Sequence, residues 1–269
     1  MSWCDIGVNF TDPRLSFEAV FERALAADVS QIIITGTNLD KSHKATQLAR
    51  QYPSHLFTTI GVHPHDASQF TQQTVNDLRA LAKSSQVVAM GECGLDFNRN
   101  FSTPEQQLFA FEEQLKLACE LGLPVFLHER DAFESQIDLL TYYRAQLKGG
   151  VVHCFTGNSE QMHRYLDLDL FIGITGWVCD LKRGQDLREA LKTLPLDRIL
   201  LETDAPYLRP KSLANNRKVD QGNNEPAYLP YIAAQVAELM EIDTETLKVA
   251  CQTNSQKLFK FSKQRAAHE

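Results

Sequence analysis

Five short stretches of this chain close an apolar run with residues able to bind a metal ion or move a proton. They are GVHPHD with His63 and His65, GECGLD with Glu92, VFLHERDA with His128 and Arg130, VVHCFTG with His153, and LLETDAP with Glu202 and Asp204. A lone histidine in such a place is ordinarily a hydrogen-bonded structural residue. Two imidazoles and a carboxylate that converge are different, because together they make a good divalent-metal site. Glu92, His128 and His153 are the expected ligands. An ion held there lowers the pKa of water and polarises the bond under attack, and Asp204 is the carboxylate expected to bind that water or take its proton. The chemistry is hydrolytic.

Convergence of this kind needs a scaffold that gathers the ends of separate strands. Runs rich in Ile, Val, Leu and Phe lie at about 3–9, 31–36, 57–62, 87–91, 124–128, 150–155, 170–175 and 198–203. Each is continuously apolar, as expected of parallel strands covered on both faces. Amphipathic segments fill the gaps. The clearest spans 104–121, where Thr103 can cap, Pro104 suits the first turn, Gln106 completes a capping box and Gly122 stops the helix. Its expected apolar face is Leu108, Phe111, Leu115 and Ala118. Two more helical patterns, near 227–240 and 244–259, follow a polar loop at about 209–226.

Eight alternations predict a single (β/α)8 TIM barrel over residues 1–269, although an open doubly wound sheet uses the same alternation. Barrel active sites lie at the carboxyl ends of the strands, and neighbouring strands are about 4.8 Å apart. Strands four, five and six would then bring Glu92, His128 and His153 together, with Asp204 facing them from strand eight.

With 269 residues and 43% apolar side chains the chain can bury a large core. No run approaches the roughly 20 apolar residues that span a bilayer, and the basic leader of an export signal is missing, so a cytoplasmic protein without membrane attachment is expected. The six cysteines form no CxxC pair and read as free thiols. A net charge of −7 argues against tight, sequence-independent duplex binding unless a basic patch or a metal offsets it. Arg209, Lys211, Arg217 and Lys218 form such a patch, and Trp177 and Tyr207 could stack on unpaired bases. Arg130 is a candidate to orient a phosphate, and His65 either touches substrate or braces His63.

Taken in order, GVHPHD, GECGLD, HERDA, HCFTG and ETDAP resemble the TatD family of deoxyribonucleases over nearly the whole chain, as do GECGLDFNRNFSTPEQQ and FIGITGWVCD. The resemblance implies a metal-dependent barrel nuclease, a 3′ to 5′ exonuclease preferring single-stranded DNA, with RNA as a further substrate. It implies a monomer with a part in DNA repair or nucleic-acid turnover. Mg2+ is the implied ion, whereas a His2Glu donor set favours Mn2+ or Zn2+. Metal roles pass to Glu92, His128 and His153, the catalytic carboxylate to Asp204, and a place beside the scissile phosphate to His63.

One departure stands out. Most of the family opens with Asp-x-His-x-His, and this chain reads Asp5, Ile6, Gly7, Val8, Asn9. One well-held ion and at most one weak one are therefore expected. Two other readings fit the same ligands: an amidohydrolase-like barrel acting on a small amide, ester or phosphotriester, and a non-catalytic protein with a degenerate site.

Overall fold

The structure is a computed structural model that describes residues 1–211, 213 and 222–261. Its strands are β1 (Trp3–Val8), β2 (Val29–Ile34), β3 (Leu56–Ile60), β4 (Val87–Asp96), β5 (Val125–Arg130), β6 (Gly150–Val152), β7 (Phe171–Ile174) and β8 (Ile199–Leu201). They form one sheet in the order β1 through β8, with parallel pairing. Val8 bridges Ala205 in parallel just beyond β8, backed by Asp204 N–H to Gly7 O at 2.9 Å and Asn9 N–H to Ala205 O at 2.8 Å. The last strand thus returns to the first, and the fold is the expected (β/α)8 barrel.

The intervening helices are α1 (Phe17–Ala26), α2 (Leu39–Gln51), α3 (Gln72–Leu81), α4 (Pro104–Leu121), α5 (Phe133–Tyr143), α6 (Ser159–Asp167) and α7 (Gln185–Leu191), with α8 (Leu229–Leu239) and α9 (Thr244–Phe259) after β8. Every residue of β1, β3 and β4 is buried, as strands enclosed on both faces must be.

The chain packs as two compact units. One comprises Met1–Ile33, Cys154–His163 and Ile172–Lys257. In it, Val20, Phe21 and Ala24 of α1 and Leu229, Ile232, Ala233 and Val236 of α8 are buried. The other comprises Ile34–His153, Arg164–Phe171 and the chain from Leu258. Its core includes Ile60, Met90, Phe111, Leu115 and Phe126, none with any exposed surface.

Helix α4 shows sequence dictating structure, with one amendment. Thr103 Oγ1 accepts from Gln106 N–H, Gln106 Oε1 accepts from Thr103 N–H at 2.9 Å, and Gly122 takes the left-handed conformation at φ 65°. The buried face holds Phe111, Leu115 and Ala118 as expected, but Leu108 is only half-buried. Gln107 and Gln114, polar yet fully enclosed, take part of that face. Both hold the backbone that carries the functional residues.

Candidate metal centre

β4 can place a carboxylate against β5 because two of its residues lack side chains. Gly91 and Gly94 adopt φ of 140° and 141°, and a Cβ on either would run into the carbonyl oxygen of Phe126 or His128. The register pairs Gly94 with His128 and Asp96 with Arg130, with an irregularity between Met90 and Cys93. The strand therefore continues five residues beyond its expected end at 91. Cys93 lies fully buried with Sγ toward the carbonyls of Met90 and Phe126, away from any ligand role.

In the unit that holds β3 to β6, one carboxylate oxygen is the hub. Glu92 Oε1 is 2.8 Å from His153 Nε2, 3.0 Å from His128 Nδ1 and 3.4 Å from His63 Nε2. The ligand atoms of His63, Glu92 and His128 all lie within 4.8 Å of one another. The expected Glu92, His128 and His153 thus meet at that one oxygen, while the residues whose ligand atoms lie close enough together to share an ion are His63, Glu92 and His128. Phe126 stacks on His153 at 4.8 Å and fixes its ring plane.

Sequence reasoning missed Asp96. Its Oδ2 lies 2.8 Å from His65 Nε2 and 3.4 Å from His128 Nε2, so His128 is addressed by a carboxylate on each nitrogen. The signal was available: Glu92, Gly94 and Asp96 alternate along one strand, which puts both acids on the same face. His65 braces through Asp96, and its backbone N–H donates to His63 Nδ1 at 3.1 Å.

The electrostatics follow from crowding. Burial opposes ionisation of Glu92, but the surrounding histidines outweigh it and hold its pKa well below the usual carboxylate range. Burial also opposes charge on His128, yet Asp96 and Glu92 prevail and its pKa is raised. His63 goes the other way, down to about 4, because burial and the neighbouring His128 outweigh Glu92. A neutral imidazole is the ligand form of histidine.

This donor set fits a divalent ion. Donors about 2.0–2.1 Å from a shared tetrahedral centre lie about 3.3 Å from one another, close to the separations around Glu92 Oε1. Helix α4 fixes the frame. Gln107 Oε1 accepts from Asp96 N–H at 2.8 Å while its Nε2 donates to the carbonyls of Asp96 and Ser102 at 3.0 and 2.9 Å. Gln114 does the same for Val62, beside His63, at 2.8 and 3.0 Å.

The other unit holds Glu202 and Asp204. Asp204 lies past the end of β8 in a left-handed conformation, φ 55°, and its Oδ1 accepts from Asn9 Nδ2 at 3.0 Å. Asn9, which stands where the family pattern has a histidine, thus holds the carboxylate. Asp5 is fully buried and accepts from Thr203 Oγ1 at 2.6 Å and from Thr203 N–H at 2.9 Å. Burial drives its pKa up to about 8 against those hydrogen bonds. Glu202 accepts from the N–H of Cys154, the residue after His153, at 2.5 Å.

The loops divide the other expectations. Arg130 is exposed at the end of β5, and Asp131 Oδ2 ties this loop to that of β4 by accepting from Asn98 Nδ2 at 2.6 Å. Lys211 pairs with Asp180 at 2.7 Å and Arg209 lies over Tyr228, while Arg217 and Lys218 fall outside the described residues. Arg183 covers Trp177 at 4.3 Å, and Arg14 covers the exposed Tyr207 at 4.5 Å.

Known proteins resemble this chain along nearly its whole length. Residues 4–260 match the family described as TatD related DNase. The chain is 50% identical to a protein named 3′-5′ ssDNA/RNA exonuclease TatD from Erwinia tasmaniensis, over 95% of this chain and 98% of that one. It is also 50% identical to the protein of the same name from Pectobacterium atrosepticum, over 96% and 99%. Among solved structures, the TatD homologue YjjV of Escherichia coli superposes with a TM-score of 0.87 at 30% identity, covering 96% of this chain and 98% of that one. A chain matched so nearly end to end, with a histidine-ringed carboxylate at its strand ends, belongs to the TatD family of deoxyribonucleases.

Proposed function

We propose that this enzyme is a metal-dependent exonuclease that removes nucleotides from the 3′ end of single-stranded DNA, and of RNA. The observation that carries the reading is the convergence of His63, His128 and His153 on one oxygen of Glu92. The names of its relatives supply the substrate and the polarity. A divalent ion bound there, Mg2+ with Mn2+ or Zn2+ as competitors, supplies positive charge to the phosphate and acidifies water.

The chain's own residues do the rest. Glu92, His128 and His153 hold the ion. His63, neutral at physiological pH, adds a nitrogen to that set and stands beside the scissile phosphate. Asp96 fixes the His128 ring through Nε2, as carboxylates behind histidine ligands do. Asp204, oriented by Asn9, accepts the proton of the attacking water. Exposed Arg130 and the half-buried His65 receive the phosphates of the strand. With histidines lost from the first strand, one ion is held firmly and a second is recruited weakly by substrate.

No helix among the described residues is long and apolar enough to cross a membrane. We further read it as a single-domain, monomeric cytoplasmic enzyme working in DNA repair or nucleic-acid turnover. The test is digestion of single- and double-stranded DNA and RNA labelled at either end, with Mg2+, Mn2+ or Zn2+ added. Stepwise shortening of 5′-labelled single strands is expected. Cleavage of small amides or esters with oligonucleotides left intact would overturn the reading.

A further inference from the structure

Beside the metal centre, an aromatic ring is held out into water. Phe101, in the loop after β4, is 65% exposed. The loop under it is firmly tied. Asp96 Oδ1 accepts the N–H groups of Asn98 and Arg99 at 3.1 and 2.9 Å, and Asn100 Nδ2 donates to Phe97 O at 2.7 Å. On the far side, buried Ser102 donates to His65 O at 3.0 Å and accepts from Ser68 N–H at 2.9 Å. The Phe101 ring meets the His65 ring edge-on, with centroids 4.8 Å apart and planes at 87°.

His65 is bonded to Asp96, which also faces the metal-ligand candidate His128. One imidazole, that of His65, therefore stands between the phenyl ring and the cluster. With Phe101 so exposed, the edge-on contact leaves ring surface available to a further partner. Loop residues Arg99 and, at the end of β5, Arg130 are exposed as well, so cations suited to phosphates accompany the ring.

Resting on the nuclease reading, we propose that Phe101 is the stacking platform for a nucleobase next to the scissile phosphate, and that it selects strands whose terminal bases are unpaired. A π-face accepts any base, so the contact confers strand selection without sequence preference. Phe101 is a positioning residue that holds the end of the strand while the metal centre acts.

The test compares wild type, Phe101→Ala and Phe101→Trp on two single-stranded oligonucleotides. One carries ordinary 3′-terminal nucleotides, and the other has its last two nucleotides abasic. Stacking of one base is lost in Phe101→Ala, so kcat/KM on the ordinary strand should fall about 5- to 150-fold. On the abasic strand the two proteins should be equal, and Phe101→Trp should restore the ordinary rate. Thermal melting, expected to be unchanged for an exposed position, checks that each variant is folded. Equal rates of wild type and Phe101→Ala on the ordinary strand, or the same loss on both strands, would overturn the stacking role. Failure of the wild type to shorten either strand would instead remove the nuclease reading and the platform with it.

Discussion

Replacing Gln107 with methionine keeps the length and volume of the side chain while removing every hydrogen bond it makes. Gln107 is fully enclosed, and its amide serves three backbone groups: Asp96 N–H, Asp96 O and Ser102 O. A buried backbone group left without a partner costs about 1–3 kcal/mol. Carbonyls tolerate the loss better than N–H groups, so about 3–6 kcal/mol for all three is the reasoned magnitude. At about 2–4 °C per kcal/mol for a domain approaching this size, the melting temperature should fall by about 6–24 °C. The same change frees Asp96 from α4, and Asp96 orients His65 and His128. Loss of such a partner behind a metal ligand lowers metal affinity about 10- to 100-fold. Differential scanning calorimetry and titration with Mn2+ read the two effects separately. A melting temperature within about 2 °C of wild type, with unchanged Mn2+ affinity, would refute the claim that α4 fixes the metal centre.

Asp204→Asn keeps an oxygen for Asn9 Nδ2 but cannot accept a proton, so turnover of single-stranded DNA should drop about 10²- to 10⁴-fold with the melting temperature nearly unchanged; near-normal rates in a gel assay would remove Asp204 from the chemistry. Asp5→Asn can keep the N–H bonds at Oδ1 and donate from Nδ2 to Thr203 Oγ1, so the variant should fold. Because the Asp5 pKa is raised from 3.8 to about 8 on folding, its protonated form stabilises the wild type at low pH, and that contribution is lost as pH rises toward 8. Urea denaturation should show the wild type losing up to about 1.4 kcal/mol per pH unit relative to Asp5→Asn across that window, with no further change above it; parallel stability curves would contradict a neutral Asp5.

The strand-and-helix alternation was legible because parallel barrel strands are apolar on both faces, and the caps of α4 follow from Thr103, Gln106 and Gly122 alone. Glu92, His128 and His153 were legible as strand-end residues on neighbouring strands. The extent of β4 was not. The apolar run ends at 91, whereas Gly91 and Gly94 permit close approach to β5 and the strand runs on to Asp96. That shortfall hid Asp96. Gln107 and Gln114 were missed for another reason: a helix face read by apolar periodicity has no place for buried amides whose partners are loop backbone. At β8 the opposite holds: the run expected at 198–203 is a strand only over Ile199–Leu201, and Asp204, past its end in a left-handed conformation, accepts from Asn9.

All of these details serve one hub, the Glu92 oxygen shared by three imidazoles. Its most direct test is elemental analysis of wild type and Glu92→Gln after dialysis against Mn2+ and removal of free ion. The wild type should retain about one ion per chain and Glu92→Gln almost none. Equal metal in both proteins would contradict the account.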